Sequence, residues 1–364
     1  MKDIIILGNA RCYHTMDWYR LIRRAVTNRR VIFATDLIDS EGHTKIVESD
    51  DYIVNLYNVD RWLLKGQSNV GNIWRNLVKL VAVPIQTLAV RKLSKKYPGA
   101  LIHAHTMYYM FLCWLAGVSY IGTPQGSEVL VRPDRSRLYR FFAAKALKAA
   151  DHVTVDSNNM AKRVEALSSR ECIVLQNGVD THAIRNMTDP LCPRTRVVSF
   201  RGLAEIYRLD EILKARDISK KKPILDFIYP FWEDFYKNRI LDLSSEQDLF
   251  RGRVERDDMY NLFSSTLLAI SVPVSDSSPR SVYEAIFCGC CVAVTYNSWI
   301  DVLPSCMKSR IVVIDLAGGA WLDKALESAK LIVKEPYKPT AEALDLFDQS
   351  RSVDKLVKKL YGAV

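Results

Sequence analysis

Nowhere in the 364 residues does Asp-x-Asp occur, the spacing that lets two carboxylates hold a divalent ion on a diphosphate. Gly-x-Gly-x-x-Gly is missing as well, which removes the usual mark of a dinucleotide site. No apolar run reaches the roughly 18 residues that a membrane span needs. The opening Met1–Gly8 predicts a short strand rather than a leader peptide. Internal repeats and low-complexity tracts are absent too. Eight cysteines are present; Cys288, Cys290 and Cys291 cluster with no histidine beside them. All eight read as reduced, mostly buried thiols of a cytosolic protein, not as a disulfide framework or a zinc site. Acids are scarce in one window. Residues 61–150 hold 14 Lys and Arg against two acids, Glu128 and Asp134, a net of +12. The whole chain carries only +10, so the remainder sums to −2. Such an uneven balance predicts an anionic partner for that part of the chain.

What is present is an alternation of short apolar runs with helical stretches. Strands are predicted at 3–7, 30–35, 52–57, 100–105, 118–123, 152–157 and 172–176, then again at 197–200, 224–229, 267–272, 290–295 and 310–315. A length of 364 residues with 49% apolar composition suits two cores better than one. The polar stretch from Asn186 to Thr195 is the expected linker. The expectation is therefore an α/β chain with a domain over 1–186, a second over 187–350, and a closing helix at 351–364.

The most informative segment runs from Ser275 to Gly289. An apolar run precedes it and another comes after it, the order of a strand, a loop, a helix and a strand. Ser278 is placed to cap the helix, Pro279 to occupy its first turn, and Gly289 to end it. Backbone N–H groups around Arg280, Ser281 and Val282 would then stand at the sheet's carboxyl edge, where phosphate binds well. Asp276 and Glu284 flank that helix start. Read blandly, Arg280 and Glu284 form an i,i+4 surface ion pair.

The two acids at this spacing resemble the acidic-x7-acidic motif of glycosyltransferase family 4, retaining enzymes of the GT-B fold with nucleotide-sugar donors. Asp276 stands where Glu is usual. The resemblance implies that Glu284 holds the donor ribose and that Asp276 lies near the donor sugar. Further segments resemble the family. Gly8 to Trp18, with Asn9 and His14-Thr15, is similar to the His-Thr-x-x-Trp opening of one branch. His103-Ala-His105 is similar to the family's His-Ala-His; the two rings could suit a metal, but no third ligand is evident. Gly122 to Glu128 resembles a loop in which Gln125 replaces a histidine, and it keeps the capacity to bond a sugar hydroxyl. Arg201 and Arg208 resemble the donor-phosphate pair, seven residues apart where five is usual. Gly252 and Val254 open a segment that resembles the one lining the family's base pocket.

The resemblance implies a GT-B fold, two Rossmann-like domains facing a central cleft, with the last helix crossing back to the first domain. Its activity would be transfer of a sugar from a nucleotide diphosphate-sugar, a UDP-sugar being favoured, to a glycan or lipid-linked acceptor. Asp276, Arg201 and Arg208 are the expected catalytic residues. Glu284, Arg280, Ser281, Val254, Gly252 and Gln125 are expected at the donor, and Asn9, His14 and His105 at the acceptor. No metal and no cofactor is expected. The setting would be cytoplasmic, in cell-surface polysaccharide or glycoconjugate synthesis, peripheral on the inner face of the membrane. The basic window then meets anionic lipid or a phosphorylated acceptor rather than nucleic acid, Ile73 to Lys96 reading either as an interfacial stretch or as an ordinary Rossmann helix with an apolar inner face. A nucleotide-sugar epimerase of the same fold, or a catalytically silent binding subunit, are the alternatives.

Overall fold

The computed structural model describes residues 2–39, 47–48, 50–62, 69–176, 178–189, 191–276, 278–317 and 319–362, with side chains at all of these except 13, 14, 69–73, 75 and 76. The chain forms two compact units, Met1–Asn177 with Ser350–Val364, and Gly178–Gln349.

The first unit is built on seven strands: β1 (Ile4–Gly8), β2 (Val31–Thr35), β3 (Tyr52–Asn55), β4 (Leu101–His105), β5 (Ile121–Thr123), β6 (His152–Val155) and β7 (Cys172–Val174). They lie in the order β3-β2-β1-β4-β5-β6-β7, every neighbouring pair parallel. The second unit carries β8 (Arg196–Ser199), β9 (Leu225–Ile228), β10 (Leu249–Gly252), β11 (Thr266–Ser271), β12 (Cys291–Thr295) and β13 (Ile311–Ile314). Their order is β10-β9-β8-β11-β12-β13, again parallel throughout. Parallel sheets are covered on both faces, so their central strands read as unbroken apolar runs. β1, β2 and β11 are buried at every position. The one strand without a sequence signal is β10. It lies at a sheet edge, where half-exposed residues alternate and no apolar run forms.

Strand order reverses between β1 and β4 in one sheet and between β8 and β11 in the other. Loops leaving these strands at their carboxyl ends splay apart and open a crevice, which is where such sheets take ligands. The candidate residues after β1, β4, β8 and β11 therefore stand at the two positions that topology favours.

The chain leaves the first unit at Asn177–Gly178, ahead of the polar stretch 186–195. Within that stretch Arg194 is part of the second unit's framework. Its guanidinium donates to the carbonyls of Phe263 (2.9 Å), Thr266 (3.1 Å) and Cys288 (2.6 Å). Residues 350–362 return to the first unit. Val353, Leu356, Leu360 and Tyr361 are buried there among Trp18, Tyr19 and Ile22, and Arg29 bonds the Tyr361 carbonyl at 2.7 Å.

Gly178 sits where two segments of the second unit run side by side. Val179 donates to the Phe347 carbonyl at 2.7 Å and Gln349 donates to the Val179 carbonyl at 2.9 Å. Gly178 has φ +49°, and a Cβ there would lie 2.6 Å from the Cα of Gln349. Both the conformation and the closeness to rigid backbone exclude a side chain. Gly178→Ala is expected to lower the unfolding free energy by about 1–3 kcal/mol, measured by chemical denaturation.

Candidate active site

In the second unit the site grows from strand ends. Phe200 and Arg201 come directly after β8. The Arg201 side chain is 13% exposed. Its Nε donates to Ser271 Oγ at 2.7 Å, and its Nη2 to Asp276 Oδ2 at 2.7 Å. The guanidinium carbon lies 5.7 Å from the Phe200 ring centre and 5.8 Å from that of Tyr207. Two hydrogen bonds and two ring faces fix its position. Asp276 is thus brought directly onto Arg201, so the residue expected at the sugar and the residue expected at the diphosphate form one ion pair.

Arg208 has φ +51° and begins the helix Leu209–Ile218. Its Nε donates to the Val272 carbonyl at 2.7 Å, and its Nη2 to the Pro273 carbonyl at 2.8 Å and Thr295 Oγ1 at 3.2 Å. Those N–H groups are committed to the ends of β11 and β12.

The helix Arg280–Phe287 comes after β11, as the motif implied. Pro279 occupies its N-cap position, one residue before the first-turn place expected for it. Val282 N–H bonds the Pro279 carbonyl at 2.9 Å, so it is not one of the open donors the sequence suggested. Ser281 N–H has no carbonyl within the helix to bond. At the far end Gly289 (φ +85°) closes the helix. Its N–H reaches Ile286 at 2.8 Å, and that of Cys290 reaches Ala285 at 3.0 Å, the paired bonds of a Schellman cap.

Glu284 is buried. Its Oε1 accepts from the Tyr260 hydroxyl at 3.1 Å and lies 3.4 Å from Arg280 Nε and 3.9 Å from Arg256 Nε. The Arg280–Glu284 pair expected on the surface exists, but with side chains only 10% and 6% exposed. A carboxylate kept that far from water needs such donors. Arg256 and Tyr260 belong to the helix Arg256–Ser264, just beyond Gly252 and Val254. This is how the segment after β10 meets the second acid. Gly252 itself has φ +67° and open space on its side-chain face, and Val254 packs on the core. Ser271, Tyr260 and Arg256 were missed at the sequence level, since each meets its acid or arginine only through folding.

In the first unit Asn9 turns the chain after β1. Its Oδ1 accepts from Arg11 N–H at 2.9 Å. Gln125 Nε2 reaches Cys12 Sγ at 3.2 Å, tying the end of β5 to that turn. Gln125, expected at the donor, thus stands in the same unit as Asn9 and His105. His14 lies in the first turn of the helix Tyr13–Ala25, and its side chain is outside the described ones. His105 is buried, with Nδ1 3.0 Å from Thr15 Oγ1. Glu128 is a buried latch whose Oε2 accepts from the backbone N–H of Gln125 and of Met107, both at 2.9 Å. No group of three or more metal-binding side chains occurs among the described residues. The thiols of Cys290 and Cys291 are pushed up to about 12 by burial.

Known proteins share this fold and part of the sequence. Residues 58–183 match the family model Glycosyltransferase Family 4. Solved structures of similar fold include Anabaena Alr3699/HepE in complex with UDP and glucose, at TM-score 0.73 and 12% identity, covering 99% of this chain and 100% of that one. Sucrose-phosphate synthase from Thermosynechococcus elongatus gives 0.69 and 12% over the full length of both chains. The lipopolysaccharide outer core galactosyltransferase WaaB gives 0.64 and 10%, also over both full lengths. No curated protein sequence matches significantly. The fold is GT-B. The resemblance to glycosyltransferase family 4 is borne out by the family model over residues 58–183, and the similar solved structures show the fold over the whole chain. The Asp276–Glu284 motif lies outside the matched segment.

His103 is read as structural. Its Nδ1 is 2.6 Å from the Tyr361 hydroxyl and its Nε2 2.6 Å from Thr123 Oγ1. A neutral ring supplies the one donor and one acceptor these contacts need. Burial lowers its pKa to about 4, against about 6.5 in an unfolded chain. The unfolded chain therefore takes up the proton first. The stability associated with the neutral ring is complete above pH 6.5 and falls between about 6.5 and 4, by about 3 kcal/mol in all. His103→Gln is expected to flatten this part of a stability–pH profile.

Proposed function

We propose that this chain is a retaining glycosyltransferase, moving a hexose from a UDP-sugar to a lipid-linked or glycan acceptor in cell-surface polysaccharide or glycoconjugate synthesis. The observation that carries the reading is the Arg201–Asp276 pair at the β8/β11 reversal, beside the helix start that holds Glu284. It is supported by the family match and by the UDP and UDP-glucose complexes of the similarly folded HepE.

The donor belongs to the second unit. The contacts described for Glu284 all fall on Oε1, so Oε2 is the oxygen assigned to the ribose hydroxyls. The base lies along Gly252 and Val254. Arg201, with Ser281 N–H and Arg280 at the helix start, faces the diphosphate. Arg208 acts there by holding the loops that carry Arg201 and Asp276. In the transfer the bond from the anomeric carbon to the phosphate oxygen breaks, and the acceptor oxygen bonds that carbon on the same face. The acceptor's proton passes to the departing phosphate oxygen, and Arg201 stabilises the charge that grows on the diphosphate. Asp276 supports the sugar. Asn9, His14 and Gln125 are assigned to the acceptor. Buried His105 orients Thr15 beneath them. The reaction needs no metal.

A second reading comes from a 2-epimerase. A Listeria monocytogenes protein assigned as a UDP-N-acetylglucosamine 2-epimerase shares the fold at TM-score 0.62 and 12% identity. Incubating UDP-sugars with and without acceptor separates the two, since an epimerase alters the sugar in the acceptor's absence. Sugar transfer is expected to survive EDTA; loss that magnesium or manganese restores would refute the metal-free chemistry.

In the ligand-free state an incoming diphosphate competes with Asp276 for Arg201. Asp276→Asn is therefore expected to bind UDP several-fold more tightly while transferring sugar more slowly. Glu284→Gln is expected to weaken UDP binding about tenfold, the loss of one charged hydrogen bond. Titration calorimetry with UDP checks both.

A further inference from the structure

Three helices of the first unit, Asn69–Lys96, Met107–Ala116 and Arg137–Ala149, turn large apolar side chains outward. On the first, Trp74, Leu77, Leu80, Val81, Ile85 and Leu88 are all exposed, Leu80 at 68% and Val81 at 71%. At 3.6 residues per turn they fall within an arc of about 140°. The opposite arc, with Ala82, Gln86, Val90 and Leu93, is buried. On the third helix Leu138 is 68% and Phe141 55% exposed. Trp114, on the middle helix, packs edge-on against Phe142 of the third at 6.0 Å, and Tyr108 of the middle helix bonds the Lys79 carbonyl of the first at 3.3 Å, so the middle helix links the other two. Soluble proteins seldom expose apolar side chains so densely without something to cover them.

We propose that this helical face lies on an anionic lipid bilayer, with Leu77, Leu80, Val81, Ile85, Leu88 and Phe141 inserted among the acyl chains. The inference deepens the reading of a lipid-linked acceptor and rests on it. Charge selects lipid over a protein partner. Arg91, Lys92, Lys95 and Lys96 are exposed at the end of the first helix, and Arg137, Arg140, Lys145 and Lys148 on the third. The two acids of this window are spent elsewhere: Glu128 is buried on backbone N–H groups, and Asp134 bonds Arg163. Protein interfaces are depleted in lysine, whereas interfacial helices combine it with aliphatic and aromatic residues. Lys145 Nζ lies 5.6 Å from the Phe141 ring, an arrangement in which the ring sinks while the ammonium stays at headgroup level. Lys79 is not part of this charge. It turns inward to fully buried Asp36 at 3.3 Å. Among the described residues no helix is long and apolar enough to cross a membrane, so the face lies on the bilayer and does not span it.

Attachment then has two components. Attraction of the cations is screened by salt; apolar insertion is not. The test is co-sedimentation of the full chain with phosphatidylglycerol-containing and with pure phosphatidylcholine vesicles, at 0.1 and 1 M NaCl. The wild type is expected to pellet with anionic vesicles, and a fraction is expected to stay bound at 1 M salt. Leu80→Ser with Val81→Ser and Phe141→Ser should remove the salt-resistant fraction. Reversing Arg91, Lys92, Lys95 and Lys96 to Glu should remove the salt-sensitive one. A second serine pair, Leu77→Ser with Leu88→Ser, gives an independent check if the triple variant fails to fold. Serine variants that pellet like the wild type overturn the proposal. So does a wild type that stays in solution with both vesicles, or a face covered by self-association that the serine variants abolish. UDP binding, measured on the same samples, separates this from the enzymatic reading. A chain that pellets but binds no UDP refutes the donor site and keeps the docking face, and one that binds UDP without pelleting does the reverse.

Discussion

Arg208 holds the second unit's candidate site together. One guanidinium bonds the carbonyls of Val272 and Pro273 and the hydroxyl of Thr295, so the loop after β8 clamps the ends of β11 and β12. Those carbonyls lie just beyond β11, where only that of Pro273 has a second described donor, Thr295 Oγ1 at 3.4 Å, and a buried carbonyl left unmet costs its desolvation. The side chain reaches them because residue 208 adopts φ +51°, uncommon for a residue with a Cβ. That clamp positions its neighbours. Ser271, at the end of β11, is set to receive Arg201, and the chain leading to Asp276 starts from a fixed Pro273.

The first unit solves a similar problem with a buried polar cluster. Asp36, at the end of β2, is fully buried and meets Lys79, Gln86 and the Tyr109 hydroxyl. The Lys79 ammonium also stands 4.1 Å from the Tyr108 ring centre. A carboxylate in that position is tolerable only with all of these donors in place. Nearby, Arg11 bonds Asp60 through Nε at 2.7 Å. At this sheet edge Asp36 meets several donors, whereas Asp60 is met on Oδ1 and its buried Oδ2 has no hydrogen-bond partner among the described residues.

Much of this was legible in the chain because parallel strands announce themselves. Buried on both faces, β1, β2, β11 and β12 are unbroken apolar runs, and each run ends in a loop at the ligand-bearing edge. Asp276, Arg201 and Glu284 lie in or just after such loops, and the roles expected of them came from the resemblance to glycosyltransferase family 4. β10 escaped because an edge strand with one wet face offers no such run. Ser271, Tyr260 and Arg256 escaped because their meaning is a distance to a residue far along the chain. The orientation of the helix Asn69–Lys96 was only half readable. It carries apolar residues on both arcs, so composition cannot say which arc the sheet covers, and Lys79, grouped by sequence with the basic surface, turned out to be an interior partner of Asp36. Arg208 fitted a phosphate-binding pattern by type and position, whereas its described bonds are all to framework atoms.

The first unit's core is discontinuous along the chain. Val353, Leu356, Leu360 and Tyr361 fill space beside Trp18 and Tyr19, and the Tyr361 hydroxyl supplies a partner to His103. During synthesis the whole second unit is therefore made before the first can close its core. Until then Trp18 and Tyr19 lack the side chains that complete their packing. The same arrangement sets a limit for engineering. A tag or truncation that disturbs residues 353–361 acts on the interior of the unit begun at the opposite end of the sequence.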